Sequence, residues 1–257
     1  MQNRFGGTVK ISGVMIGRDN EWCVERALRS LMHFDEVVFG DTGSVDKTRE
    51  IAYNLGARLR VVEIEKEPFH FAWAKNEVIR QAANDHIFLL DTDEYIVPDI
   101  YNWLKERFSM YPNARVVLPR FEQHSPQMFI RMFYPSYQCR GWDRTVACLE
   151  KAVHEIVVGG YPEIVSPYHL FHRGWADMER DTIHWRYFEF LLGKPAPSME
   201  ESQRLMQAGF EQMATTYEEL PERGKEEMAR YEEATGFSPI IVPPPLSDDE
   251  LLWQRNL

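Results

Sequence analysis

The first hundred residues alternate short apolar runs with helical patterns, and this alternation constrains the fold more than any other feature. Val9 to Ile16 reads as a buried strand, Glu21 to Leu31 as a helix capped by Asn20, and Glu36 to Phe39 as a second strand. In "GDTGSVDKT", Ser44 suits the cap of a helix running to about Leu55 and Asp46 suits its positive first turn. Gly56 fits the left-handed position just past the helix end. Arg58 to Ile64 is strand-like, Ala72 to Ala83 helical, and His86 to Leu90 a short apolar strand that runs into Asp91. Strands separated by helices pair mostly in parallel and present ligand sites at their carboxyl ends. Asp41 and Asp91 both stand at such ends.

Past Asn113 the helices drop out. Val116 to Phe121, Met128 to Tyr134, Val153 to Val158 and Ile164 to Phe171 read as strands of an antiparallel extension. After Trp175 the pattern is helical, with Met206, Phe210, Met213, Tyr217 and Leu220 spaced by four and three as a packing stripe. Pro243 to Pro245 break the chain, and Ser247 with Glu250 forms a capping box for a last helix carrying Leu251, Leu252 and Trp253. The organisation read from this is a catalytic domain over 1–176 and a helical extension over 177–257.

Composition excludes several classes. A chain of 257 residues that is 44% hydrophobic can bury one large α/β core, and its apolar runs fall far short of the ~20 residues that span a bilayer. The expectation is a soluble, cytoplasmic protein without a transmembrane anchor. Cys23, Cys139 and Cys148 are odd in number and lack CxxC spacing, so neither a disulfide framework nor a thiolate zinc site is expected. A net charge of −11 disfavours nonspecific nucleic-acid binding, and any phosphate ligand needs a cation's help. The oligomeric state is not legible.

The stretch "FLLDTDEYIVP" crowds Asp91, Asp93 and Glu94 behind an apolar run, and such crowding is costly unless a cation, solvent or a helix terminus absorbs the charge. Decoration of the helix beginning near Pro98 is the structural explanation. An EF-hand fails, because Ile96 stands where its loop needs Gly and Asn102 where it needs Glu. A phosphatase with a phosphoryl-accepting Asp normally places that residue after its opening strand, whereas this strand is about the fourth. A divalent cation shared with a diphosphate suits an acidic protein that must hold an anion. On that reading the repulsion is relieved when metal arrives.

Four motifs, "ISGVMIGRDNE", "EVVFGDTGSVDKT", "FHFAWAKN" and "HIFLLDTDEYI", stand in the order and spacing of family 2 glycosyltransferases with the GT-A fold, which the chain therefore resembles from Val9 to Pro98. The resemblance continues more weakly through "IRMF", "AVHEI" and "HRGW" to about Trp175. It implies an α/β GT-A fold, Rossmann-like with a mostly parallel central sheet and an antiparallel extension, and a metal-dependent transfer from a nucleotide-sugar to a hydroxyl. The implied donor is a UDP-sugar and the implied cofactor is Mn2+ or Mg2+. Asp41 then looks like the acceptor for a uracil N3–H, with capping of its own turn as the alternative. Lys75 and Asn76 stand where relatives carry Arg-Asn facing the nucleotide, and Lys offers a point charge in place of the bidentate fork. Asp91 looks like the ribose or base contact, Asp93 like the metal ligand, and His172 in "HRG" like a metal or diphosphate ligand. Val45 replaces a Thr common in the family, a change that touches packing.

An inverting transfer also needs a general base. Glu155 in "VHE" is the first choice, Asp143 in "GWDR" the second and Glu94 the third. On a regular strand His154 would face away from Glu155 and serve structure. Two rival functions are a phosphatase or hydrolase using the same Asp-x-Asp and metal, and a binding module that holds the nucleotide-sugar without transfer. The acceptor is not legible: a glycan, a lipid, a protein side chain and a hydroxymethylated nucleobase all fit.

Overall fold

The computed structural model describes residues 8–55, 59–64, 70–125, 128–132, 137–173, 198–210, 214–216 and 222–240, with further positions at 179, 182–183, 185–186, 192–193 and 246. Four strands form the parallel heart: β1 (Ile11–Gly17), β2 (Glu36–Asp41), β3 (Leu59–Glu63) and β4 (His86–Leu89). Every residue of β1 and β2 is buried, as a sheet covered on both faces requires. On one face, α1 (Val24–Leu31) and α4 (Asp99–Met110) pack Leu28, Leu31, Ile100, Leu104 and Phe108 against Ile11, Met15, Phe39 and Phe88. On the other, α3 (Phe71–Gln81) lays Val78 and Ile79 on Val14, Val38, Ile87 and Leu89. Gly40 permits that approach, because a Cβ there would stand 2.2 Å from Cγ2 of Val78.

Three more strands, β6 (Arg115–Leu118), β9 (Gln138–Asp143) and β12 (Glu163–Val165), complete a seven-stranded sheet in the order β12-β6-β9-β4-β1-β2-β3. β9 runs antiparallel to both β4 and β6. Because β2 and β4 flank β1 on opposite sides, the strand order reverses at β1. The crevice beyond the carboxyl ends of β1 and β4 is therefore the topological switch point where α/β sheets receive ligands.

A second sheet roofs one side of this crevice. It comprises β5 (Glu94–Tyr95), β7 (Arg120–Ser125), β8 (Met128–Met132), β13 (Leu170–His172) and β14 (Ala214–Thr216), in the order β14-β8-β7-β13-β5. A separate hairpin pairs β10 (Ala147–Glu150) with β11 (Ile156–Gly159). Helix α2 (Thr48–Asn54) follows β2, and α5 (Met199–Phe210) and α6 (Glu222–Thr235) lie late in the chain. α6 brings Met228 and Tyr231 onto Tyr95, Phe121 and Phe171, and its buried Glu227 accepts from the His169 amide at 2.9 Å. Among the described residues no helix is long and apolar enough to cross a membrane.

The departures from the sequence reading have local causes. α1 starts at Val24 because the amides of Cys23 and Val24 both donate to the Asn20 carbonyl, closing a turn first. α2 starts at Thr48: Ser44 Oγ accepts from the Asp19 amide, while Asp46 accepts from Thr48 and Glu21, so these polar residues stitch two loops together. The expected strands 116–121 and 164–171 each divide at a proline, Pro119 and Pro167, which cannot donate to a ladder. Residues 151–155 form the turn of the hairpin, with Lys151 at φ 75° and His154 at φ 53°, and the strand begins only at Ile156. The helical stripe is interrupted, since α5 ends at Phe210 and β14 pairs with β8. The segment beyond 177 is thus not helical throughout and lends a strand to the second sheet. Gly56, Met213, Tyr217, Leu220 and the helix expected after Ser247 lie outside the described residues.

Candidate functional site

Asp91, Asp93 and Glu94 follow β4 at the switch point, where the chain turns sharply enough for the Glu94 amide to donate to the Asp91 carbonyl at 3.1 Å. Each carboxylate has a basic partner, and Arg140 serves two of them. Asp91 receives Lys75 Nζ on Oδ1 and Arg140 on Oδ2, both at 2.8 Å. The same Arg140 guanidinium binds Glu94, which also accepts from the Asp91 amide at 3.1 Å. Asp93 Oδ2 lies 3.3 Å from Nε2 of His172. Basic side chains of the chain itself, Lys75, Arg140 and His172, thus stand against the three carboxylates and answer part of the crowding read from the sequence.

The electrostatics follow this partition. Burial pushes the Asp91 carboxyl up, but Lys75 and Arg140 outweigh it and hold the group well below the ordinary carboxylate range. Asp93 behaves likewise, with burial overcome by His172 and then Arg173. Glu94 goes the other way, because burial and the neighbouring Asp91 charge exceed what Arg140 restores. His172 is raised, its own burial outweighed by the Asp93 carboxylate. Asp91 and Asp93 keep 31% and 29% of their side-chain surface, whereas Glu94 keeps none, so only the two aspartates face the crevice. Glu94 as a base is corrected on the same ground: a fully enclosed carboxylate locked to Arg140 cannot meet an acceptor hydroxyl.

Glu155 joins the cluster from the hairpin turn, its Oε1 2.8 Å from the Nζ that also binds Asp91. Lys75, on α3 and buried, thus ties the candidate base to the candidate donor contact. Asn76 does different work from that expected: its amide donates to the Leu149 carbonyl at 2.8 Å and accepts from the Leu149 N–H at 3.2 Å, clamping β10 onto α3. Asp143 is not brought to the cluster. It pairs in register with His86, at the far end of β4 from Asp91, and its Oδ1 accepts from the amide and hydroxyl of Thr145. Its place as a base is corrected by that geometry. Asp41 is fully buried and accepts from the amides of Gly43 and Ser44 at 3.2 and 3.3 Å, so here it braces its own turn.

Sequence reasoning missed three residues. Arg140 is the only charge between Pro135 and Trp142, and an arginine inside so neutral a strand was the available signal. Glu122 reaches His172 only through strand pairing, and no spacing in the sequence reveals it. Arg173 sets its guanidinium over the Trp22 ring and donates its amide to the Asp93 carbonyl at 2.9 Å.

A divalent cation fits this donor set in part. Among the described residues no three His, Cys, Asp or Glu side chains converge as a ready metal site. Asp93 and His172 supply one carboxylate and one imidazole side by side, which suits an ion that takes its remaining ligands from phosphate oxygens and water.

Comparison with known proteins gives relatives of modest reach. A TPR repeat-containing protein of Synechococcus elongatus is 33% identical over 120 residues, covering 46% of this chain and 29% of its own length. An uncharacterized glycosyltransferase of Rickettsia typhi is 27% identical over 139 residues, covering 51% of this chain and 44% of its own. The chain thus spans less than half the length of these curated relatives. Among solved structures, residues 1–349 of S. aureus TarS superpose at a TM-score of 0.48 with 13% identity, over 76% of this chain and 68% of that one. Glucosyl-3-phosphoglycerate synthase from Mycobacterium tuberculosis, crystallised with Mn2+, UDP and phosphoglyceric acid, gives 0.37 with 22% identity over 44% and 43%. The model of glycosyl transferase family 2 matches residues 19–160, more than half of the chain and the whole of the carboxylate cluster except His172, and the chain belongs to that family.

Proposed function

We propose that the protein transfers a sugar from a nucleotide-sugar, a UDP-sugar by preference, to an acceptor hydroxyl with inversion at the anomeric carbon. The observation that carries this is the sharing of Lys75 between Asp91 and Glu155, which fixes a donor-facing carboxylate and a second carboxylate on one buried cation at the switch point. Asp91 accepts hydroxyls of the donor, and Asp93 with His172 forms the pair that would hold Mn2+ or Mg2+. That ion, when bound, supplies positive charge to the departing diphosphate. Glu155 takes the acceptor's proton as its oxygen bonds to the anomeric carbon. The bond from that carbon to the diphosphate breaks, and the electron pair leaves with the nucleotide. Asp41 could meet the base only after its turn opens, which makes the uracil contact the part of this reading that requires movement. An odd count of three cysteines without CxxC spacing supports a reducing, cytoplasmic setting.

Thermal shift with UDP, with and without Mn2+, tests the donor site. The metal should add to the stabilisation given by UDP, and Asp93→Ala should remove the added part alone. Stabilisation by UDP that ignores both the metal and Asp93 would overturn the metal site.

A further inference from the structure

Strand register places three titratable side chains in one row of the second sheet. His172 of β13 stands directly opposite Glu122 of β7 on one side and Glu94 of β5 on the other. Residues in register share a face, so the imidazole lies between two carboxylates. Both glutamates are almost wholly enclosed, and each is bound by an arginine: Glu94 by Arg140 and Glu122 by Arg120. Those arginines answer the glutamate charges locally, so neither glutamate competes with Asp93 for a cation in the crevice.

The two ring nitrogens of His172 are thereby distinguished. Nε2 faces Asp93 at 3.3 Å, whereas Nδ1 is buried and, among the described residues, has no partner within hydrogen-bond distance. The carboxylate recorded beside Nδ1 is that of Glu122, whose Oε1 is 3.9 Å away. A neutral imidazole that ligates a cation through Nε2 must carry its proton on Nδ1, and a buried N–H without an acceptor is costly. Closing the gap to Glu122 requires a shift of about 1 Å to reach ordinary hydrogen-bond length.

We infer that Glu122 is a positioning residue for the metal site: held by Arg120, it accepts the Nδ1 proton of His172 and so aims Nε2 at the cation shared with Asp93. The inference rests on the metal reading given above. Carboxylates placed behind a ligating histidine in this way fix its tautomer, and their loss typically weakens metal binding by about 10–100-fold.

Calorimetric titration of Mn2+ into the full chain, with UDP present, tests this on the wild type, Asp93→Ala and Glu122→Gln. The expected result is binding by the wild type, none by Asp93→Ala, and a dissociation constant about 10–100-fold weaker for Glu122→Gln, which keeps the shape but not the charge. Wild-type affinity in Glu122→Gln, alongside loss in Asp93→Ala, overturns this inference and leaves the metal reading intact. Absence of Mn2+ binding by the wild type overturns both. Should Glu122→Gln fail to fold, nitrogen-15 NMR of the histidine-labelled wild type with Mg2+ and UDP decides: a proton on Nδ1 of His172 supports the role, and a proton on Nε2 refutes it.

Discussion

Replacing Arg140 by Met removes the cation shared by Asp91 and Glu94, and the structure says where the cost falls. Asp91 is part-exposed and keeps Lys75 at 2.8 Å. Glu94 has no exposed side-chain surface, and of its described contacts it keeps the Asp91 amide at 3.1 Å. Removing one partner of a buried ion pair costs about 3–5 kcal/mol, a large part of the roughly 5–15 kcal/mol that holds a domain together. At ~2–4 °C per kcal/mol for a chain near this size, the midpoint should fall by roughly 6–20 °C. The control is the double variant Arg140→Met with Glu94→Leu, in which no orphaned charge remains. It should recover at least about 2 kcal/mol of the loss in urea titrations. A single variant that loses under about 1 kcal/mol, or a double variant no more stable than the single, would show that Arg140 does not neutralise this cluster.

Three further outcomes follow from the packing and the site. Gly40→Ala should cost about 1–3 kcal/mol in chemical denaturation, because its methyl collides with Val78 across the α3–β2 contact; an unchanged midpoint would mean that the helix can move away freely. Asn76→Ala should speed amide hydrogen exchange in β10 while leaving UDP affinity within about twofold, since the side chain clamps Leu149, and a large affinity loss would restore it to the nucleotide. Asp143→Asn should retain near-wild-type donor turnover, and a collapse in turnover would contradict its placement at the far end of the sheet.

Much of this architecture was legible because it depends on local pattern. The parallel strands announce themselves as apolar runs, and the acids that follow β4 mark the carboxyl end of the sheet. Their partners were harder to read: His172 was reached through the family resemblance, whereas Arg140 and Glu122 meet the site across strands whose pairing no spacing encodes. Local polar chemistry also misled. Ser44 and Asn20 look like helix caps, yet Ser44 Oγ serves the Asp19 amide and the Asn20 side chain serves Arg18, since two adjoining loops compete for the same oxygens. Glu155 was reachable from "VHE", although the backbone there is a turn with His154 at positive φ, and that turn sets the carboxylate beside Lys75.

The central claim is that Glu155 moves a proton while the aspartates hold the donor. Single-turnover release of UDP from a bound UDP-sugar, with water as the acceptor, tests it without knowledge of the natural acceptor. Glu155→Gln should slow that release by ~10²–10⁴ while its calorimetric donor affinity stays within about threefold of wild type. Release at the wild-type rate, or a loss of donor affinity as large as the loss of rate, would contradict the assignment.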